Sequence, residues 1–405
     1  MKLFLSPECL KRKGKSVRSQ SRVPILFCLA VSLVSFLFSR DQVEGKDKIA
    51  EEKGVKVIKN PSESVYGELK LDLEEDLVLG KESDENYLFY QVWDIKADDT
   101  GNIYILDAGA HNIKKYDREG TYLQTIGGQG QGPGEFAMPF TLNFDKNGNI
   151  YVIQMQKVQV FDRNGVYIKS IPFSYFVMDF TPDGEGNIIV TARVRTESTD
   201  NIAVLIIGPE GKIIKKIAEF PGIPIHETGT TVSHDYSPYV RFSALGDKGI
   251  IYGYNLEYRL YCADWSGKNI LIIEKNEPQH NVSRREKNKI IDTIQKNIER
   301  AELGWPKDVI EKMANVPKHR PFFNGILVDD KGRIYVKKLK SVLDDSKAPD
   351  YDIFSSVGYY LYSAQLPFAP LFIKNGYMYH ATFSEESGEV KVIRTRIKNW
   401  KEIKT

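Results

Sequence analysis

The tetrapeptide Gly101-Asn102-Ile103-Tyr104 returns as Gly148-Asn149-Ile150-Tyr151, 47 residues further along. A longer pattern returns with it. Asp98 to Ile126 and Asp145 to Ile171 both open Asp-x-x-Gly-Asn-Ile-Tyr. Each continues through an apolar stretch, an aromatic residue followed by Asp, two polar residues, Gly and a second apolar stretch. Asp117 maps to Asp162 and Gly120 to Gly165, each 45 residues on. Such a chain is restricted to repeat architectures, in which each unit hides its faces only against its neighbours.

Weaker copies run through Asp183–Val194, Val204–Ile217, Gly246–Gly267, Val328–Leu339, Tyr351–Leu366 and Leu371–Ile397. Asp-x-x-Gly-Asn and Asp-Arg-x-Gly are tight-turn chemistry: Gly accepts positive φ, and Asp or Asn binds nearby backbone. Between turns lie short β-branched or aromatic runs that read as strands. Each unit is then about four short antiparallel strands, and units of this length match propeller blades. The expected fold is an all-β six-bladed β-propeller with four-stranded antiparallel blades. Its units open near Trp93, Phe140, Val177, Val240, Phe322 and Phe368. Leu69–Gly80 reads as the outer strand of the last blade, which would join the chain ends. Seven blades result if that segment belongs to a fuller blade.

The glycine-rich run Gly127–Pro139 followed by DKNGNIYVIQMQKVQVFDRNG resembles the NHL-repeat type of six-bladed propeller, as found in exported bacterial proteins. The resemblance covers Trp93 to Ile171 closely and the chain to Ile397 loosely. It implies a fold rather than an activity. The glycine-rich run is no P-loop, because no Gly-Lys-Ser/Thr follows to reach phosphate and magnesium. Nor is it a dinucleotide loop, because strands rather than a helix follow. It is expected to link one blade's outer strand to the next blade's inner strand, with Phe136 and Pro139 anchoring its exit.

Residues 278–321 break the rhythm as a helical insertion within a propeller spanning 69–400. Ser283 and Glu286 form a capping box. Ile290, Ile291, Ile294, Ile298 and Ala301 recur on one helical face. Gly304 can end this helix and Pro306 can start another, with Val309, Ile310 and Met313 facing inward. The hairpin is expected to pack on the ring and partly cover a binding face.

The N-terminal region has a different character. Residues 1–39 hold seven basic residues and one acid, and Val23–Phe38 carries no charge. This reads as a signal peptide or a membrane anchor, followed by a linker over 40–68. Localisation would be exported, periplasmic or extracellular, with membrane association through residues 23–38. The remaining chain carries 49 basic and 53 acidic residues, which offers no general attraction to nucleic acid. Cys262 is the one cysteine beyond the N-terminal region. It reads as a small apolar strand residue.

Candidate ligand-binding residues are His111, His226, His234, Asp235, His319 and Arg320. The densest set, His226, Glu227, His234, Asp235 and Tyr236, falls in one loop. His226 and His234 are the weak candidates for a metal, with Asp235 or a histidine from another blade, including His380, completing the set. Arg320 could fork onto a carboxylate or sulfate, against the alternative of a surface ion pair. No cofactor motif is present; a divalent metal is the alternative to none. No catalytic residue is identifiable. The leading expectation is a binding module that recognises a protein, peptide or glycan through its loop face. A metal-dependent hydrolase or lyase at the channel mouth is one alternative, and a structural envelope component is another.

Overall fold

The computed structural model describes residues 48–225, 232–300, 305–346 and 348–405. The expected signal or anchor at 1–39 and His226 lie outside these residues. Six antiparallel sheets form the ring. Blade 1 comprises Val92–Ala97, Ile103–Asp107, Asn112–Tyr116 and Tyr122–Ile126. Blade 2 comprises Pro139–Phe144, Ile150–Gln154, Lys157–Phe161 and Tyr167–Pro172. Blade 3 opens with Phe176–Pro182 and ends with Ile213–Pro224. Blade 4 runs from Val240–Ala244 to Asn269–Lys275, and blade 5 from Phe323–Val328 to Tyr360–Gln365. Blade 6 takes three strands from the C-terminal region, ending with Val390–Ile397, and its outer strand, Leu73–Leu79, from near the N-terminus. The expected closure and the count of six both hold.

The core is divided in the same way. Apolar clusters fill the six gaps between neighbouring blades. One joins Val158 and Ile171 of blade 2 to Val190 and Leu205 of blade 3. Another joins Ile353 and Leu361 of blade 5 to Ile373 and Met378 of blade 6. A single blade has no core of its own, which is why the repeat must close.

One departure from expectation is at residues 40–68. Val55–Asn60 forms a strand parallel to the outer strand of blade 4, and Lys48–Glu52 pairs antiparallel outside it. Blade 4 thereby has six strands. The alternation with lysines hides the pattern, yet Val57 and Ile58 are buried against the blade. Asn60 then ties blade 4 to blade 5. Its amide donates to the carbonyls of Glu274 (3.0 Å) and Gly358 (2.9 Å), and its oxygen accepts the Tyr360 amide at 2.7 Å.

The insertion contains α1 (Arg284–Arg300) and α2 (Lys307–Ala314). The capping box is formed: the Ser283 amide donates to Glu286 Oε2 at 2.8 Å, and the Glu286 amide donates to Ser283 Oγ at 3.2 Å. Ile290, Ile291, Ile294, Ile298 and Ile310 pack with Tyr236, Val232, Leu339 and Val342. Among the described residues, no helix is long and apolar enough to cross a membrane.

Candidate functional site

The two faces of the ring are built differently. On one face, the first two strands of blades 1, 2, 3 and 5 are joined by the repeated turn. The carboxylates of Asp98, Asp145 and Asp183 accept backbone amides two and four residues on and hold the side chains of Asn102, Asn149 and Asn187. In blade 5, Asp329 does the same with Arg333, whose guanidinium lies over the Trp400 ring. These acids are consumed by turn architecture. The other face carries the blade-to-blade connections and the links between second and third strands. Its loops are irregular and carry the insertion.

On this loop face, many polar side chains hold loops in place. Asp107 accepts four backbone amides, from Tyr90, Gln91, Gly109 and Ala110. Blade 2 replaces that carboxylate with two buried glutamines. Gln154 Oε1 accepts the Ala137 amide at 2.8 Å and Gln159 Oε1 accepts the Gly134 amide at 2.7 Å. They secure the glycine-rich connection, whose Phe136 is fully buried as expected.

A cavity of about 650 Å³ opens on the loop face above blades 4 and 5. Its wall includes His234 and Asp235 from the blade 3–4 connection, Tyr239 and Arg241 leading into and along the inner strand of blade 4, Asn324 from the inner strand of blade 5, and Lys337 to Val342. The insertion helices pack on Leu339, Val342 and Tyr236, beside this opening. Deeper in the ring, Asp94 of blade 1 accepts from Thr141 Oγ1, the Leu142 amide (3.0 Å) and Lys96 (2.6 Å). Among the described residues, Asp179 of blade 3 accepts only the Phe180 amide, at 2.8 Å. Burial pushes its carboxyl up to about 6.

The sequence-predicted residues separate into different roles. His234 and Asp235 line the cavity. His234 is not a free ligand: Tyr236 N donates to Nδ1 at 3.1 Å, and Nε2 meets the Ala314 carbonyl at 2.6 Å. Burial lowers its pKa, so the ring is neutral near pH 7. Arg320 faces Glu286 at 3.4 Å and so serves the insertion. His319 pairs with Asn281 through an isolated bridge at the insertion's stem. His111 is in the left-handed region, φ 55°, in a blade 1 turn away from the cavity wall. His380 stacks on Phe368 at 3.7 Å. Among the described residues, no three His, Cys, Asp or Glu side chains gather as a metal site. Cys262 is buried, and burial pushes its thiol up to about 12.

Across the mouth, on blades 1 to 3, Tyr90, Met138, Met155 and Phe176 are exposed, and Trp93 stacks on Phe140 at 5.4 Å. A family profile described as 6-bladed beta-propeller matches residues 77–299. The chain belongs to the 6-bladed β-propeller family. NHL repeat-containing protein 3 of Homo sapiens is 27% identical over 133 residues, which is 29% of this chain. The match spans only 37% of that relative's length. A solved protein from Bacteroides fragilis superimposes with a TM-score of 0.51 at 13% identity, over 84% of this chain and 99% of the other. A solved member of the DUF4221 family, from Bacteroides vulgatus, gives 0.50 at 13% identity over 81% of this chain and 98% of the other. These likenesses establish the fold.

Arg241, Lys337, Asn324 and Tyr239 escaped the sequence reading. Arg241, Asn324 and Lys337 sit in three different strands, Tyr239 just before one, and none carries a motif; only the ring brings them together.

Proposed function

We propose that this propeller is an exported binding module that takes a peptide or glycan on its loop face. Residues 1–39 support export by their basic region and the uncharged run after it. The observation that carries the binding reading is the 650 Å³ cavity on a loop face that also exposes aromatic and methionine side chains on blades 1 to 3. A concave polar pocket and an apolar platform on one face suit ligand capture. The histidine and arginine that looked most chemical, His234 and Arg320, are engaged in holding the insertion.

A second reading, a hydrolase or lyase, is favoured by one group. Asp179 is a carboxyl whose raised pKa would suit proton transfer. Binding and turnover are separated by screening peptide and glycan panels against protein lacking residues 1–39, with Trp93→Ala and Asp179→Asn beside it. Saturable binding that Trp93→Ala weakens and Asp179→Asn retains, with ligand recovered intact, supports the module. Chemical conversion of the ligand that Asp179→Asn abolishes replaces it with the enzyme.

A further inference from the structure

The basic residues of the cavity differ in what neutralises them. Lys338 is 2.7 Å from Glu277, and Lys340 is 3.3 Å from Asp350. Nearby Arg193 is 2.9 Å from Asp200. The side chains of Arg241 and Lys337 have neither a hydrogen bond nor an ion pair among the described residues. Arg241 Nε is shut away from solvent without a partner, and its guanidinium rests 4.8 Å from the Tyr239 ring centroid. Asn324 Oδ1, on the same wall, is likewise enclosed and unpartnered. Gly325 makes room for the second cation: a Cβ there would stand 3.3 Å from Lys337 Cβ.

Two half-buried cations whose side chains have no ion-paired acid are costly unless an anion completes them. Burial lowers the pKa of Arg241 and of Lys337, and the Arg241 charge lowers Lys337 further. Asp179 is the acid that faces Arg241 electrostatically. Arg241 and Lys337 stand against Asp179 and, on the same wall, Asp235, so the site has little positive charge to spare. A carboxylate fits that balance better than a doubly charged phosphate. The wall also carries hydroxyl and amide groups, through Ser233, Tyr239, Asn324 and Ser341, beside the apolar Leu339, Val342 and Pro349. Such a mixed lining fits a sugar ring, which has hydroxyl edges and C–H faces.

We propose that Arg241 and Lys337 form a carboxylate-binding site for an acidic sugar of the uronic acid class, with Arg241 as the forked donor and Lys337 as the point charge. This rests on the binding-module reading and specifies its ligand. The site takes one uronate residue, and the remainder of the glycan extends toward Trp93 and Phe140.

The test is calorimetric titration of the chain lacking residues 1–39 with trigalacturonate, with its fully methyl-esterified form, and with a neutral trisaccharide. The ester keeps the shape and removes the charge. Trigalacturonate should bind at least tenfold more tightly than the ester. Arg241→Gln and Lys337→Met should each remove most of that preference, while circular dichroism and melting stay close to those of the parent protein. Lys340→Met, which breaks an existing ion pair, controls for general charge loss and should leave the preference intact. Equal affinity for acid and ester, or a preference that survives Arg241→Gln, overturns the assignment. Tighter binding of inorganic phosphate than of trigalacturonate overturns it too, as does binding of a peptide C-terminal carboxylate but not of the uronate. If neutral sugars bind and Trp93→Ala weakens them, the module reading stands while the carboxylate site falls. If no peptide or glycan binds, both fall.

Discussion

His234 joins the blade 3–4 connection to the last turn of α2 through one bond, from Nε2 to the Ala314 carbonyl at 2.6 Å. The same ring accepts the Tyr236 amide on its other nitrogen. Together the two bonds set the neutral tautomer with hydrogen on Nε2; protonation would keep the bond to Ala314 but break the one from Tyr236 and charge a buried ring. Because burial lowers the folded-state pKa of His234 below 6.5, the unfolded chain takes up the proton first. This stabilisation is therefore full above 6.5 and is lost as pH falls through the lower folded value. Protection factors of residues 305–314, with the intrinsic pH dependence of exchange divided out, should be lower at pH 5 than at pH 7.5. His234→Ala should lower them at both, at a cost of about 1–2 kcal/mol. Protection that is indifferent to pH in the parent protein would count against this link.

Glu286 gathers the insertion's polar contacts. Burial would raise its pKa, but hydrogen bonds from Ser341, Ser283 and Tyr236 outweigh that and hold it at about 2. Its stabilisation is complete above the ordinary 4.5 and fades as pH falls toward 2. Glu286→Gln should destabilise the protein by about 2 kcal/mol at pH 7 and by less at pH 3. Denaturant titrations at the two pH values check this.

Asp179 has the opposite sign. With its folded pKa raised to about 6 from 3.8, its contribution is most favourable below 3.8 and is lost as pH rises through 6. Asp179→Asn keeps an acceptor for the Phe180 amide. It should stabilise the ring by about 1–2 kcal/mol at pH 8 and change little near pH 4. Melting curves at pH 4 and pH 8 that shift by the same amount would contradict it.

Neighbouring glycines in one loop should respond differently. Gly127 has φ 80°, and a Cβ there would enter the Phe136 ring, whereas one on Gly128 meets nothing within 4 Å. Gly127→Ala should cost about 2–4 kcal/mol, and Gly128→Ala should be nearly neutral. Chemical denaturation of the pair measures the difference.

The fold was legible where local chemistry repeats. Asp98, Asp145 and Asp183 announce turns because each carboxylate works on its own neighbours, so the signal is contained in a few residues. Leu73–Leu79 was readable as the closing strand because a ring of incomplete units needs one. Val55–Asn60 was not, because its burial depends on an exposed blade edge more than 200 residues away. The site was the least legible part. His234 and Arg320 have reactive side chains but spend them on the insertion. Arg241 and Lys337 look like ordinary strand residues until the ring sets them around one cavity.

The added strand on blade 4 also sets a timetable. Val55–Asn60 emerges from the ribosome early, but its parallel partner, Leu271–Lys275, comes more than 200 residues later. Leu73–Leu79 must wait longer still, for Val390–Ile397. Through most of synthesis the chain therefore carries two unpaired edges near its start, the kind of surface that chaperones shield and that neighbouring nascent chains can mispair with. The first is covered when blade 4 arrives and the second only with the last blade, so a chain truncated within blade 6 would leave its beginning, as well as its end, unfinished.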